Sequence, residues 1–579
     1  MTQPWVWAPV AARVDIEVDG ERHPMERSAN GRWTAGLALP AGTEYAFVVD
    51  GAEPPIPDPR APWLPAGVHG AARSVDHRTF AWHDDGWAGF DLPTAVIYEM
   101  HIGTFSAAGT FDGGVAHLDH LVALGVTAVE VMPVNAFSGD RGWGYDGVGL
   151  YAVHEPYGGP AGFKRFVDEC HARGLAVVLD VVYNHLGAAG NYLGRFGPYF
   201  TDKYRTPWGP AVNFDDAGSD EVRAFVVDNA LMWLRDYHCD ALRLDAVHAI
   251  HDASATHILE ELAVAVAALA REVGRPLYLI AESDLNDPRV VERRELGGYG
   301  VDAQWSDDFH HALHAVLTGE RDGYYVDFGS LGDFATALRR AFVYVGQHSA
   351  YRQRRHGRTP AGLPAWRFLG YAQNHDQIGN RAPGERVVHL VSPGLAKVAA
   401  ALVLLGPFVP LLFQGEEWGA STPFQYFTSH DDAELARAVR DGRRAEFATF
   451  GWDPASVPDP QDAQTHRRCV LRWDELDAEP HRELLDWHRQ LIGLRRATPD
   501  LAPGALDDTE VDYDEAARWL VMRRPAAVVV CNFSKHQQVI PLRHPGGVVL
   551  TSAADPVISA GGIRLAAESV AVLRETSGA

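Results

Sequence analysis

Lysine is nearly missing from this chain: among 579 residues only Lys164, Lys203, Lys397 and Lys535 occur. None sits in a Gly-Lys-Ser/Thr setting, which excludes a phosphate-cradling P-loop. Positive charge is scarce altogether, and 51 Lys and Arg against 76 Asp and Glu leave a net charge of -25. Nucleic-acid binding needs phosphate-neutralising cations in excess on some face, so no such partner is expected. Cysteine is sparse too. Cys170, Cys239, Cys469 and Cys531 lie far apart with no CxxC pair, which argues against a zinc site and against a disulfide framework and leaves reduced core thiols. The longest apolar candidate, 398–413, is broken by Gly406, Pro407 and Pro410, short of the roughly 18 uninterrupted residues of a membrane span. The N-terminus has no basic region followed by an apolar run. A cytoplasmic protein without a membrane partner is expected.

What is present has a clear rhythm. With 46% hydrophobic and 22% charged residues the composition is that of an ordinary globular protein, and the length calls for two to four folding units. Up to about residue 90 the text is strand-like: Val14-Asp15-Ile16-Glu17-Val18 alternates with period two and YAFVVDG (45–51) ends in an Asp-Gly turn. This predicts a small β-sandwich over 1–90, with the Pro- and Gly-rich stretch 51–73 as an extended linker to the next unit. From Thr94 short apolar runs alternate with helical periods. The runs are 95–103, 128–134, 175–185, 241–247, 277–283, 368–376 and 409–417, with DAQWSDDF (302–309) a weaker eighth. Runs apolar on both faces, each followed by a helix, are buried parallel strands. Eight of them predict an α/β fold with a central (β/α)8 TIM barrel over 91–502; an open doubly wound sheet is the weaker alternative. Two excursions, 186–218 and 421–480, are too long for ordinary connections and are expected to carry function. Period-two strands return after the helix 481–496, so a second β-sandwich is expected over 503–579.

Polar residues gather at the carboxyl ends of the apolar runs, which in a parallel barrel form the active face. Asp180, Asn184, His185, Arg243, Asp245, Glu282, His375 and Asp376 are therefore expected to converge there. One polar residue ending a strand is more often a helix cap than a catalyst, but carboxylates, histidines and an arginine all at one end are harder to dismiss. Several carboxylates without metal-ligand spacing, Ser or Cys nucleophile or nucleotide loop suit glycoside cleavage: one carboxylate attacks the anomeric carbon and another protonates the leaving oxygen. Aromatic residues near the expected mouth, among them Trp143, Tyr145, Tyr183, Tyr199, Trp208 and Trp305, could offer flat faces to sugar rings, although most aromatics must be core. GWGYDG (142–147) matches G-x-G-x-x-G but neither follows a strand directly nor opens a helix, so it is not a dinucleotide site. His310-His311 lacks a third ligand at metal spacing, and Asn184 alone does not make a calcium site. No cofactor and no metal is implied, and activity is expected to survive chelation.

DVVYNH (180–185), LRLDAVHAI (242–250), IAES (280–283) and NHDQ (374–377), in this order, resemble the four signature regions of the α-amylase superfamily, glycoside hydrolase family 13. The resemblance implies Asp245 as nucleophile, Glu282 as acid/base and Asp376 as the carboxylate that stabilises the transition state. It further implies that Arg243 orients Asp245, that His185, His375 and Gln377 bind sugar near the cleavage point, that Tyr145 stacks beneath it, and that His248 faces the leaving group. By the same resemblance the N-terminal sandwich is immunoglobulin-like. Within the superfamily, PDPRAPWLPAGVHG (57–70), YEMHIGTFSAAGTFDGG (98–114), GEEWGASTPFQYFTSH (415–430) and DPQDAQTHRRCVLRW (459–473) most resemble the maltooligosyltrehalose trehalohydrolases, with Cys469 at a usual Ser position. That implies hydrolysis of the α-1,4 bond next to a terminal trehalose, acting after a maltooligosyltrehalose synthase; discrimination must then come from contacts on the leaving-group side, for which His248 and the aromatic and acidic residues of 415–430 are the candidates. A glycogen branching enzyme is the alternative, although NHDQ departs from its usual Ser-His-Asp-Glu. A catalytically inactive glucan-binding protein is the other.

Overall fold

The computed structural model describes residues 3–575 apart from 450–452, 454–456, 545, 555 and 560. The outermost ends of the two flanking domains read from the sequence, and part of the second excursion, thus lie outside the described residues. Eight parallel strands close into a barrel, each beside the next: β1 Ile97–Met100, β2 Ala128–Val131, β3 Ala176–Val181, β4 Ala241–Leu244, β5 Tyr278–Ala281, β6 Ala303–Trp305, β7 Phe368–Gly370 and β8 Val409–Phe413. They fall on the eight apolar runs, the weak one included, because a strand covered by helices outside and by other strands inside has no face left for water. The covering helices include α1 Leu118–Leu124, α2 Gly159–Ala172, α3 Ser219–Asp236, α4 Ile258–Val273, α5 Asp307–Thr318, α6 Leu331–Arg340 and α7 Pro393–Leu404. α3 buries Val222, Phe225, Val226, Ala230, Trp233 and Leu234, the i, i+3, i+4 stripe that makes it a barrel helix rather than a solvated one.

The barrel interior changes character along its axis. Ile97, Ala128, Val178, Ala241, Ile280 and Leu411 belong to one fully buried apolar cluster, with Trp87, Phe90 and Trp366 packed against it where the strands begin. Two residues further along the same strands stand Glu99, Glu130, Asp180, Arg243 and Glu282, since period two returns each side chain to the same face. Register places Glu99 opposite Glu130 and Asp180 opposite Arg243. The floor is oily and the top is charged.

The N-terminal strands form one antiparallel run in the order Trp5–Trp7, Arg32–Ala35, Glu21–Arg27, Val14–Val18, Glu44–Val49, Ala72–Arg73. The long third member pairs by its first half with Val14–Val18 and by its second with Arg32–Ala35, so it carries the chain from one half of the sheet to the other. The stretch 51–73 is not the extended linker that its prolines suggest. Ile56 exchanges backbone hydrogen bonds with Phe47 at 2.8 and 2.9 Å, and Ala72–Arg73 pairs with Glu44 and Tyr45. Ile56, Leu64 and Val68 are buried; these apolar side chains hold the segment down even where proline supplies no donor. At the other end a five-stranded and a three-stranded antiparallel sheet share a core that includes Val521, Val530, Ile540 and Ile563.

Both excursions carry regular elements among their described residues. Within 186–218, Phe200–Thr206 and Gly209–Val212 form a hairpin, while Phe196 and Tyr199 meet Phe47 and Trp7 of the N-terminal sheet edge-on. The second excursion holds α8, Ala433–Thr449, and precedes α9, His481–Ala497. No helix among the described residues is long and apolar enough to cross a membrane.

Candidate active site

Arg243, at the end of β4, is the hub. It is fully buried, and its guanidinium donates to both Asp180 oxygens (3.0 and 2.8 Å), to Asp245 Oδ1 (2.9 Å) and to Glu282 Oε2 (2.7 Å), with the Trp305 ring 4.3 Å away. Charge-assisted bonds of this kind fix position as well as energy. Burial alone would disfavour the arginine's charge, but the carboxylates around it, Asp180 first, hold it well above its ordinary range. Asp245 and Glu282, on adjacent strands, thus share one rigid planar donor. Asp245 also accepts from Asn184 Nδ2 at 3.1 Å. The backbone then turns left-handed at Ala246 (φ 38°), a conformation that costs an L-residue free energy and that clusters at functional sites. Here it aims the Ala246 N–H at Glu282 Oε2, 2.8 Å away.

A second chain of contacts runs from Glu99 through His375 and Tyr145 to Asp180. His375 Nδ1 lies against Glu99, His375 Nε2 is 2.8 Å from the Tyr145 hydroxyl, and that hydroxyl donates to Asp180 Oδ2 at 2.6 Å. Because the hydroxyl's one proton goes to Asp180, it must accept from Nε2; because Glu99 only accepts, Nδ1 donates as well. Both ring nitrogens therefore carry hydrogen. Burial opposes an imidazolium, yet the Glu99 carboxylate outweighs it and raises His375 to about 9. Burial pushes the Asp180 carboxyl up to about 7 against the pull of Arg243. His185 is the opposite case: burial lowers it to about 4, and its ring nitrogens lie against Asn184 Oδ1 at 2.8 Å and the Tyr145 backbone carbonyl at 3.1 Å, while the Asn184 amide nitrogen faces Asp245.

These groups border a cavity of about 630 Å3, lined among others by Tyr145, His185, Asp245, His248, Glu282 and Asp376. Asp376 sits in the first turn of a short helix, His375–Gly379, capped by Asn374. Gln377 lies apart from the other expected sugar contacts, since its Oε1 accepts from the Asn374 N–H at 3.0 Å and closes that cap. Of the aromatics picked out near the mouth, Trp143, Tyr145 and Trp208 line the cavity, Trp208 stacked on His185 at 4.2 Å and 7°. Tyr199 faces the N-terminal sheet instead, and Tyr183 is buried with its hydroxyl on Asn229. The acidic residues of 415–430 also point elsewhere: Glu416 accepts from Gln373 at 3.0 Å and Glu417 from Tyr98 at 3.2 Å. In that loop Tyr426 reaches the cavity. His310 and His311 pack among tyrosines, His310 bonded to Ala372 O and the Tyr325 hydroxyl. No metal-holding cluster of three His, Cys, Asp or Glu occurs among the described residues.

Sequence reading missed Glu99 and Arg443, whereas Tyr426 is one of the aromatics of 415–430 that it offered. Glu99 sits in mid-run in IYEM, where its only local signal is sharing the inward parity of Ile97. Arg443 comes from α8 and donates to Gly379 O (2.9 Å) and Asn380 Oδ1 (3.1 Å), contacts too distant in sequence to leave a pattern.

Residues 78–205 match the family described as alpha amylase, catalytic domain, and residues 504–572 one described as a domain of unknown function. A malto-oligosyltrehalose trehalohydrolase of Arthrobacter ramosus is 55% identical over 517 residues, covering 88% of this chain and 89% of that one. Another, from Mycobacterium tuberculosis strain H37Rv, is 49% identical over 574 residues and 98% of both chains. A solved structure from Salmonella typhimurium superposes with a TM-score of 0.90 at 37% identity, covering 99% of this chain and 97% of that one. With identity of this order along nearly its whole length, the chain belongs to the malto-oligosyltrehalose trehalohydrolase family, glycoside hydrolases built on the α-amylase barrel.

Proposed function

We propose that the protein hydrolyses the α-1,4-glucosidic bond next to the terminal trehalose of a maltooligosyltrehalose, releasing trehalose and a maltooligosaccharide with retention of configuration. The observation that carries this is the pairing of Asp245 and Glu282 on one buried guanidinium at the cavity wall, in a chain whose full-length relatives bear the trehalohydrolase name. Asp245 attacks the anomeric carbon. Glu282, in its protonated form, delivers its proton to the departing glycosidic oxygen; as carboxylate it then takes one from the water that cleaves the glycosyl-enzyme. Asp376 and the His375–Tyr145 pair hold the sugar whose ring acquires positive charge, and the surplus of carboxylates over cations around it favours that charge. His185 completes the sugar contacts, and His248 faces the leaving trehalose.

A cytoplasmic setting belongs to the same reading, supported by four buried cysteines without disulfides, as does a place after a maltooligosyltrehalose synthase. Incubation of the pure protein with maltotriosyltrehalose, followed by chromatography and proton NMR, should give trehalose and maltotriose, the latter first as its α-anomer. Maltopentaose should be cut at least about tenfold less efficiently, a difference of about 1.4 kcal/mol in transition-state stabilisation. Introduction of α-1,6 branches into amylose without trehalose release would favour the branching-enzyme reading, and binding without any turnover the inactive one.

A further inference from the structure

α8 forms a wall of the catalytic cavity with one face: Val439, Gly442 and Arg443 all line it, as residues at i, i+3 and i+4 of a helix should. Arg443 fastens that face to the turn after Asp376 through Gly379 O and Asn380 Oδ1, and its guanidinium lies 4.7 Å from the Tyr426 ring. Gly442 is harder to account for. It stands well inside α8, where glycine is among the poorest helix formers. Elsewhere in the site a glycine is demanded by its neighbours: a Cβ at Gly379 would stand 2.0 Å from Trp143, and one at Gly139 1.7 Å from Ser429 O. A Cβ at Gly442 would meet nothing within 4 Å among the described residues. No described protein atom uses the space in front of it.

Resting on the trehalohydrolase reading above, we propose that Gly442 is a specificity-determining residue: the open space before it seats a glucose ring of the maltooligosyl part, and α8, positioned by Arg443, sets how long a chain the enzyme prefers. The direction follows from the acid. Glu282 protonates the oxygen of the departing trehalose, so the end of the cavity framed by Glu282 and His248 belongs to the leaving group. Asn380, Tyr426 and Trp143, joined to α8 through Arg443 and one another, form a second group of lining residues, and the retained glucose units are assigned to it. A ring that sits there is one or more units away from the bond being cut, so its loss is felt only by substrates long enough to reach it.

The test compares kcat/KM for glucosyltrehalose and maltotetraosyltrehalose in wild type, Gly442→Leu and Arg443→Gln, with thermal unfolding of each. Gly442→Leu should lower the long-to-short ratio at least fivefold while unfolding no earlier than wild type, since leucine is the better helix former. Arg443→Gln, which loosens α8 from the Asp376 turn, should move the same ratio in the same direction. Equal losses on both substrates, or a ratio within twofold of wild type in both variants, would overturn the proposal. Wild type that releases trehalose from neither substrate would instead overturn the trehalohydrolase reading itself.

Discussion

At the scale of single residues the site is governed by one arginine that cannot lose its proton and by carboxyls whose state depends on where they lie. Removing the Asp245 charge while keeping its shape leaves Arg243 still bonded to Asp180 and Glu282, so Asp245→Asn should abolish turnover with an unfolding midpoint close to wild type. Turnover within tenfold of wild type would mean that another group attacks the sugar. Glu282→Gln should lower kcat by roughly 10²–10⁴-fold, yet form glycosyl-enzyme from an activated glycosyl fluoride whose leaving group needs no proton; mass spectrometry of the trapped protein checks it. Away from the chemistry, Glu416 is raised to about 8 by burial, against the hydrogen bonds from Gln373 and the Phe413 N–H. The unfolded chain ionises this carboxyl near its ordinary range, so between that range and pH 8 the native state holds a proton that the unfolded state does not. The resulting stability is complete below the ordinary carboxyl range and lost as pH rises through 8. Between pH 6 and 9 wild type should therefore lose more stability in denaturant titrations than Glu416→Gln, with a slope steeper by up to about 1.4 kcal/mol for each pH step of one below pH 8; parallel curves would mean that Glu416 is already ionised at pH 6.

At the scale of elements, the turn His375–Gly379 joins catalysis to packing. Its last residue lies under the Trp143 ring, which itself stacks on Phe424 at 5.1 Å, so the ring has nowhere to go. Gly379→Ala should cost about 1–3 kcal/mol as an overpacked core does and should lower kcat/KM by moving Trp143 and, with it, the neighbouring Tyr145; an unchanged melting temperature and rate would show that the ring yields freely. The same element shows what was legible in the sequence. NHDQ, DVVYNH, LRLDAV and IAES end buried strands, so their polar residues stand out against apolar runs, and the barrel with its carboxylates could be read locally. Glu99 could not, because it interrupts a run that otherwise reads as pure core. Nor could the approach of α8 to Gly379, 64 residues apart, because a contact between an insertion and the turn after a barrel strand leaves no periodicity in either. The stretch 51–73 misled for the converse reason: its prolines are local and conspicuous, while Ile56, Leu64 and Val68, which fasten it, are spaced without a pattern.

At the scale of the whole molecule, a net charge of -25 surrounds a site whose proposed substrate is uncharged. Long-range fields steer ions and not neutral sugars, so kcat/KM should change less than about twofold between roughly 0.02 and 0.5 M salt, where screening changes most; a steep dependence would point to a charged substrate. The flanking sheets are tied to the barrel by arginines as well as apolar contact: the buried Arg524 donates to the carbonyls of Leu405, Gly406 and Leu501, and the half-exposed Arg32 pairs with Glu221 of α3 at 2.8 Å. The oily floor of the barrel also dictates traffic. With Ile97, Val178, Ile280 and Leu411 filling the bore, nothing enters from below, and while the glucan chain occupies its end of the cavity the doorway that the described residues leave to the glycosyl-enzyme is the one through which trehalose has just left. Water and trehalose then queue at the same door, so trehalose must be the first product out, and added trehalose should send the intermediate backwards in competition with water, slowing the net release of maltotriose.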